Sequence, residues 1–427
     1  MRPSELIKRL EEGALENYRV LYGDGVGEQT TRYIKAVQEF AALYGEEREV
    51  FLFSVPGRTE VCGNHTDHNH GRVMAAAIDR DIIAVASPSA EPLVRVRSEG
   101  YPEDRVPLEL CNDPDEAKAF KSNALVAGMC GGFRKYGYKV GGFDAYTTSR
   151  VLKGSGISSS AAFEVMVGNI LNYLYNDGCV KNEEIAKIAQ YAENVYFGKP
   201  CGLMDQTACA VGGFVYIDFN DPKNPIIEPI NFDLDEAGYV LCIVNTGGNH
   251  ANLNADYASV PAEMKAVAAA LGQEVLRGLT EEQIVAAIPT LREKVGDRAI
   301  MRALHFVREN DRVTCMANAL KEGRMADFLR GICASGDSSF KYLQNVYTTL
   351  NVEEQGLSLA LAVTEGALAG KDCAWRVHGG GFAGTIQAFV RRDLAEEYRR
   401  LLDGVFGEGS AMMLHVRPAG AIRLDIA

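Results

Sequence analysis

The sequence has no Cys-x-x-Cys pair, no helical His-Glu-x-x-His, no internal repeat and no low-complexity tract. No stretch approaches the roughly 18 consecutive apolar residues that span a bilayer. The ten cysteines, at 62, 111, 130, 179, 201, 209, 242, 315, 333 and 373, are scattered without ordered spacing. A zinc clamp or a disulfide framework needs such spacing, so reduced, mostly buried thiols are expected. Basic charge is also in the minority: 44 Lys+Arg stand against 57 Asp+Glu, a formal net charge of −13. That balance argues against a nucleic-acid-binding face, while a locally positive site for a small anion stays open. With 47% apolar and 24% charged residues, disorder is excluded as the dominant state. Residues 1–20 carry charges along an amphipathic pattern and lack the apolar region of a secretory leader. The expectation is a cytoplasmic chain.

At 427 residues the chain is long enough for two or three domains. Residues 1–45 read as helical with a Gly-rich turn at Tyr22–Gly27, followed by a strand at Val50–Val55 that Pro56-Gly57 should end. Strand character recurs at 72–88, 142–151, 211–218, 239–245, 374–378 and 384–391. Apolar residues at helical spacing mark 121–136, 161–174, 183–195, 262–271, 281–287, 315–321 and 352–369. Interleaved strands and helices predict an α/β (α+β) chain. The polar stretch Asn220–Pro225 suggests a boundary, giving domains 1–219 and 220–427.

Four stretches carry chemistry. Residues 152–161 (LKGSGISSSA) lie between a strand and a helix. Free backbone N–H groups, small side chains and the positive end of a helix suit a phosphate. The same serines also suit a plain N-capping turn, and the pattern is neither a P-loop nor a Rossmann fingerprint. Residues 56–71 (PGRTEVCGNHTDHNHG) crowd His65, Asp67, His68 and His70 into six positions. Spacing alone leaves a metal site, a polar ligand site and a solvated loop as alternatives. Residues 201–206 (CGLMDQ) set Asp205 among small and apolar neighbours, where it serves as a base or as a helix cap. Residues 378–385 (HGGGFAGT) form a glycine-dense turn that admits either a ligand or a tight hairpin.

In this order the four stretches resemble the galactokinases, a family within the GHMP small-molecule kinases. Residues 56–69 resemble the sugar motif G-R-x-N-x-x-G-E-H-x-D-Y-N, and Gly154–Ala161 resembles the phosphate loop G-x-G-L-S-S-S-A with Ile157 for leucine. Cys201–Gln206 resembles C-G-I-M-D-Q, Gly379–Gly384 resembles the late glycine turn, and His250 with Tyr257 keeps a galactokinase spacing. The resemblance runs from about residue 50 to 385. It implies a two-domain GHMP kinase fold with the active site in the inter-domain cleft. It also implies transfer of the ATP γ-phosphoryl group to the anomeric C1 hydroxyl of galactose. Asp205 would face that hydroxyl, with Arg58 beside it. Gly154, Ser155, Gly156, Ile157, Ser158, Ser159 and Ser160 would cradle the phosphates of ATP, with Ser160 and Glu193 near Mg²⁺. Asn64, His65, Asp67, Gly202 and Tyr257 would line the sugar, so the histidines would form a hydrogen-bonding wall rather than a metal site. The partners implied are sugar and ATP, with no nucleic acid and no membrane, in a monomer or small homo-oligomer.

The chain departs from the motif in places. Asn64 stands where the family has Glu, a residue that there accepts from a sugar hydroxyl remote from the reacting carbon. His68 replaces Tyr, Thr59-Glu60 replaces x-Asn, and Ala383 replaces a glycine. The arginines that often follow the Tyr257 position are absent. An amide at 64 would bind a hydroxyl more weakly or in the reverse sense, which keeps open a kinase for an N-acetylated or deoxy hexose or a pentose. A catalytically silent sugar or ATP sensor would have lost the base or the loop, and both are present.

Overall fold

Alternating β-branched and apolar residues make the strand order of the computed structural model, which describes residues 1–114, 120–151, 156–248 and 253–426. Among these, the strands are β1 (Phe51–Cys62), β2 (Arg72–Ser89), β3 (Leu93–Ser98), β4 (Glu103–Pro107), β5 (Gly142–Ser149) and β6 (Phe214–Asp218). They continue with β7 (Ile226–Ile230), β8 (Tyr239–Asn245), β9 (Ala374–His378), β10 (Thr385–Arg391), β11 (Ala411–Leu414) and β12 (Ile422–Leu424). The chain divides into two units, Met1–Arg58 with Ala77–Gly213 and Arg417–Ala427, and Thr59–Ala76 with Phe214–Val416. A single cut after residue 219 therefore does not separate them. The chain changes unit within β1 and within β2, and the second unit takes the sugar motif while the first takes the last strand.

In the first unit the strands run β12-β1-β2-β5-β3-β4. The β3–β5 pair is parallel, whereas β1–β12, β2–β5 and β3–β4 are antiparallel. Helices Pro3–Glu11 and Val26–Tyr44 place Leu6, Leu10, Val37 and Phe40 in a core with Leu52, Val85 and Leu424. The helix Ser159–Tyr175 is buried on nearly every face, packed by helices Ser122–Lys135, Asn182–Tyr191 and Met204–Val211. Such all-round burial matches its weak amphipathicity. Asp81, fully buried, accepts from Ser54 at 2.6 Å and Arg32 at 2.5 Å, and pairs with Arg417 at 3.3 Å. These bonds fasten the last strand's segment to β1 and β2.

In the second unit, residues 72–76 of β2 pair with β6, which pairs with β7. A separate sheet runs β11-β8-β10-β9, all antiparallel, over a core that includes Val244, Val377, Ile386 and Leu402. A second core joins helices Asn254–Ala270 and Asp297–Lys321 through Val260, Met264, Ala303 and Phe306. Among the described residues no helix is long and apolar enough to cross a membrane.

Two boundaries differ instructively from the sequence pattern. The first strand continues through Pro56-Gly57 to Cys62. Its neighbour β12 pairs only with Leu52–Ser54, so Pro56 sits past the ladder on that side, where a missing N–H costs nothing. The helix expected at 315–321 begins at Asp297. Its early turns bury Arg302, His305 and Glu309, polar residues that a periodicity reading places outside.

Candidate active site

In the first unit, Arg58 and Asp205 meet as the motif implied. Arg58 leaves β1 and donates through Nε and Nη2 to the two oxygens of Asp205, each at 2.8 Å. This is the bidentate fork that guanidinium and carboxylate planes favour. The third Arg58 arm, Nη1, donates to the Gly156 carbonyl at 2.7 Å. Ser158 closes the arrangement, its Oγ donating to Asp205 Oδ2 at 2.5 Å. Burial works to raise the Asp205 pKa, but the Arg58 charge and the Arg58 and Ser158 hydrogen bonds outweigh it, and the carboxyl is held below its ordinary value.

The loop residues 156–160 owe their place to local backbone choices. Ser158 adopts a left-handed conformation at φ 62° and precedes the helix Ser159–Tyr175, so its side chain turns to Asp205 instead of capping. A non-glycine residue held there is a strained position of the kind found at functional sites. Ile157 is buried, and its carbonyl accepts the Arg58 N–H at 3.2 Å. This approach needs Gly57, where an added Cβ would lie 2.8 Å from the Ile157 oxygen. Gly154, Ser155 and His250 lie outside the described residues.

Ser160 and Glu193 are also together, Oγ to Oε1 at 3.3 Å. Glu193 sits on a π-helical turn, Ala192–Phe197, that extends the helix Asn182–Tyr191. Lys199 Nζ reaches the same oxygen at 3.3 Å, and Gln206 Nε2 donates to Oε2 at 2.7 Å. Gln206 Nε2 also donates to Glu164 Oε2 at 3.3 Å, while Glu164 Oε1 is buried with no hydrogen-bond partner. Burial, reinforced by the Glu193 charge, pushes the Glu164 carboxyl well above the carboxylate range. Two carboxylates, a hydroxyl and an orphaned oxygen form an all-oxygen donor set that fits a hard divalent cation. Gly202 lies on the turn into the helix Met204–Val211. The π-helical turn also lends Tyr196 to a narrow cleft with Val106, Pro107, Leu110, Ala124 and Asn123, whose buried Oδ1 has no partner.

In the second unit the sugar-motif turn packs against the glycine turn between β9 and β10. His65 Nε2 lies 2.9 Å from the Gly380 carbonyl. A carbonyl can only accept, so Nε2 carries the proton and Nδ1 is left as an acceptor. Tyr257 donates its hydroxyl to the Gly381 carbonyl at 2.8 Å and meets Phe382 edge-on. Asp67 opens the short turn Asp67–Asn69 and lies 3.6 Å from His68, which is 46% exposed at its side chain. Among the described residues no group of three or more His, Cys, Asp or Glu side chains is placed to hold a metal ion. Asn64 differs from expectation: it is 1% exposed and its side chain is turned inward rather than presented to a sugar.

Several supporting residues escaped the motif reading. His305 Nε2 donates to the Asn64 carbonyl and its Nδ1 meets Ser338 Oγ, both at 2.9 Å. Glu309 Oε1 accepts the Gly63 N–H at 3.0 Å and the Ser335 hydroxyl at 2.5 Å. Polar residues at i and i+4 inside an otherwise apolar helix were the available signal. Burial lowers the pKa of His65 to about 4, and lowers that of His305 too. Between pH 6.5 and about 4 the unfolded chain then binds more protons than the folded one, so stability falls with pH in that window and is complete above it. The thermal midpoint should drop from pH 7 to pH 5, and His305→Gln should flatten that slope. An unchanged slope in the variant would remove His305 from the account.

The comparisons bear on this geometry directly. A model of the galactokinase galactose-binding signature matches residues 38–88, and a model of the GHMP kinase N-terminal domain matches 124–213. The galactokinase of Streptomyces coelicolor is 30% identical over 91% of this chain and 97% of its own length. The chain belongs to the galactokinase family. A second galactokinase, from Actinobacillus pleuropneumoniae, is 30% identical over 86% of this chain and 92% of its own. The crystal structure of Lactococcus lactis galactokinase complexed with galactose superposes with a TM-score of 0.75, at 25% identity over 91% of this chain and 98% of that one. A mevalonate kinase at 14% identity and TM-score 0.60 shares the fold over 85% of this chain and 98% of its own. The galactokinase signature covers Arg58, Asn64, His65 and Asp67, and the GHMP model covers Gly156–Ser160, Glu193 and Asp205.

Proposed function

We propose that this chain is an ATP-dependent galactokinase, converting galactose and ATP to galactose 1-phosphate and ADP. The observation that carries the reading is the Asp205 carboxylate, held by the Arg58 fork and bonded to Ser158 of the loop. A carboxylate offers about four lone-pair sites. Oδ2 accepts from both Arg58 and Ser158 whereas Oδ1 accepts from Arg58 alone, which leaves Oδ1 for the C1 hydroxyl.

The hydroxyl oxygen attacks the γ-phosphorus, the bond to the β–γ bridging oxygen breaks, and the hydroxyl proton passes to Asp205. Because Asp205 stays ionised well into acid, its first task is to aim the hydroxyl, and it takes the proton late, as the new P–O bond forms. The N–H groups at the start of Ser159–Tyr175 and the Arg58 charge face the charge that develops on the phosphoryl oxygens. Ser160 and Glu193 would hold Mg²⁺, with Glu164 and Gln206 behind them; the ion, when bound, neutralises phosphate charge. The cleft at Asn123 and Tyr196 suits a flat base with an exocyclic amine, which would satisfy the unpartnered Asn123 oxygen. A cytoplasmic location accords with ten free cysteines.

The test is ADP release with MgATP and a panel of free sugars headed by galactose. Efficient galactose-dependent turnover is the expected result. Turnover with another sugar and not galactose would overturn the substrate, and silence across the panel with ATP still bound would overturn the activity.

A further inference from the structure

The departures from the family motif at positions 60 and 64 touch each other. Asn64 Nδ2 gives one hydrogen to Glu60 Oε1 at 2.9 Å and the other to the Gly379 carbonyl at 2.6 Å. Its Oδ1 accepts from Asn345 Nδ2 at 2.6 Å, with Ser339 Oγ at 3.5 Å. A carboxylate and a carbonyl only accept, so the orientation of the amide is set by its partners. An asparagine side chain has two donor hydrogens and two acceptor lone pairs, and here all are directed at protein atoms. Glu60 lies against Arg376 as well, Nη2 to Oε1 at 3.4 Å, and the Arg376 side chain is 0% exposed. Arg376 Nη1 continues to the Val61 carbonyl at 2.9 Å. The negative charge is thus neutralised where it is buried.

We infer that Glu60 and Asn64 form a compensated exchange, in which Asn64 is a positioning residue and not a reader of the sugar. It ties the turn of residues 63–66 to the carbonyls of the Gly379–Gly381 turn, and Glu60 supplies the acceptor that keeps its amide turned inward. The carboxylate that the family motif carries at the later of these two positions is carried here at the earlier one, and the amide has moved the other way. His65, on the same turn and bonded to Gly380, inherits its placement from this tie.

A glutamate introduced alone at 64 would set a second carboxylate against Glu60 in a buried site, where like charges cannot both persist. The inference rests on the galactokinase reading for its assay, and the experiment separates the two. KM and kcat for galactose, KM for ATP and the thermal midpoint are measured for N64E, the double exchange E60N/N64E, and E60Q/N64E. N64E should lose ~100-fold or more in kcat/KM for galactose, mainly through KM for the sugar, with KM for ATP within about threefold of wild type. The double exchange should return to within about tenfold of wild type. If N64E does not fold, recovery of folding and activity in the double exchange and in E60Q/N64E supports the inference equally.

N64E matching or exceeding the wild type would overturn it, as would a double exchange no better than N64E. If the wild type turns over another sugar and not galactose, the galactokinase reading fails and the same cycle is read on that sugar. If no sugar is turned over, the thermal midpoints decide: lowered in N64E and restored in the double exchange supports the pairing, and no lowering overturns it.

Discussion

Asp205→Asn should fold, bind ATP as the wild type does, and lose ~10²-fold or more in kcat. The substitution keeps shape while changing what each oxygen can do. Arg58 approaches both oxygens as a donor, and Ser158 approaches Oδ2 as a donor too. An amide replaces one acceptor by an NH₂ group, which meets a guanidinium N–H head-on and turns the Ser158 hydroxyl round. The fork opens, the hydroxyl loses its aim, and no group remains to accept its proton. Arg58, only 8% exposed, is left without a carboxylate, so a lowered thermal midpoint should accompany the loss. Turnover within a few-fold of wild type would remove Asp205 from the chemistry.

Gly381→Ala is expected to damage the opposite substrate, lowering kcat/KM for galactose by about 10²-fold or more while leaving KM for ATP unchanged. Gly381 sits at φ +80°, and a Cβ there would lie 2.0 Å from the Asn345 carbonyl oxygen. That oxygen also accepts the Phe382 N–H at 2.5 Å, so the turn cannot swing aside without breaking a main-chain bond. The carbonyls of Gly379, Gly380 and Gly381 receive Asn64, His65 and Tyr257 respectively. A shift of the turn therefore displaces the sugar-motif turn and Tyr257 together. Strain of about 1–3 kcal/mol at such a position would also show as a lower thermal midpoint. A variant with wild-type galactose kinetics would show that the turn only closes a hairpin.

Local signals carried much of this site, and long-range ones carried the rest. Strands Tyr239–Asn245 and Ala374–His378 match their expected bounds because apolar runs end in unambiguous turn residues. Short motifs also brought Arg58, Asp205, Ser158, Ser160 and Glu193 together, since spacing and residue type are local information. Asn64 was legible as a departure but not as an inward-facing one. Its partners Asn345 and Gly379 are far along the chain, and an asparagine looks the same whether it serves a ligand or a turn. The helix Asp297–Lys321 was cut short for the same cause, because His305 and Glu309 satisfy main-chain groups of the sugar-motif turn. Strands β3, β4, β7, β11 and β12 are brief or mixed in polarity, and neighbours rather than their own sequence define them.

The interleaving of the two units also governs how the chain matures. The first unit takes Arg417–Ala427, and Arg417 gives its Nη1 to Ser54 at 2.7 Å while Ala421 N–H bonds the Ala210 carbonyl at 3.0 Å. Ala210 is on the helix that begins at Met204 and carries Asp205. On the ribosome, the first unit must wait, with that helix unclamped, until nearly all of the second has been synthesised. Non-local closure of this kind slows folding and lengthens exposure of unpaired edges. The newborn polypeptide thus acquires its catalytic carboxylate early and secures it last.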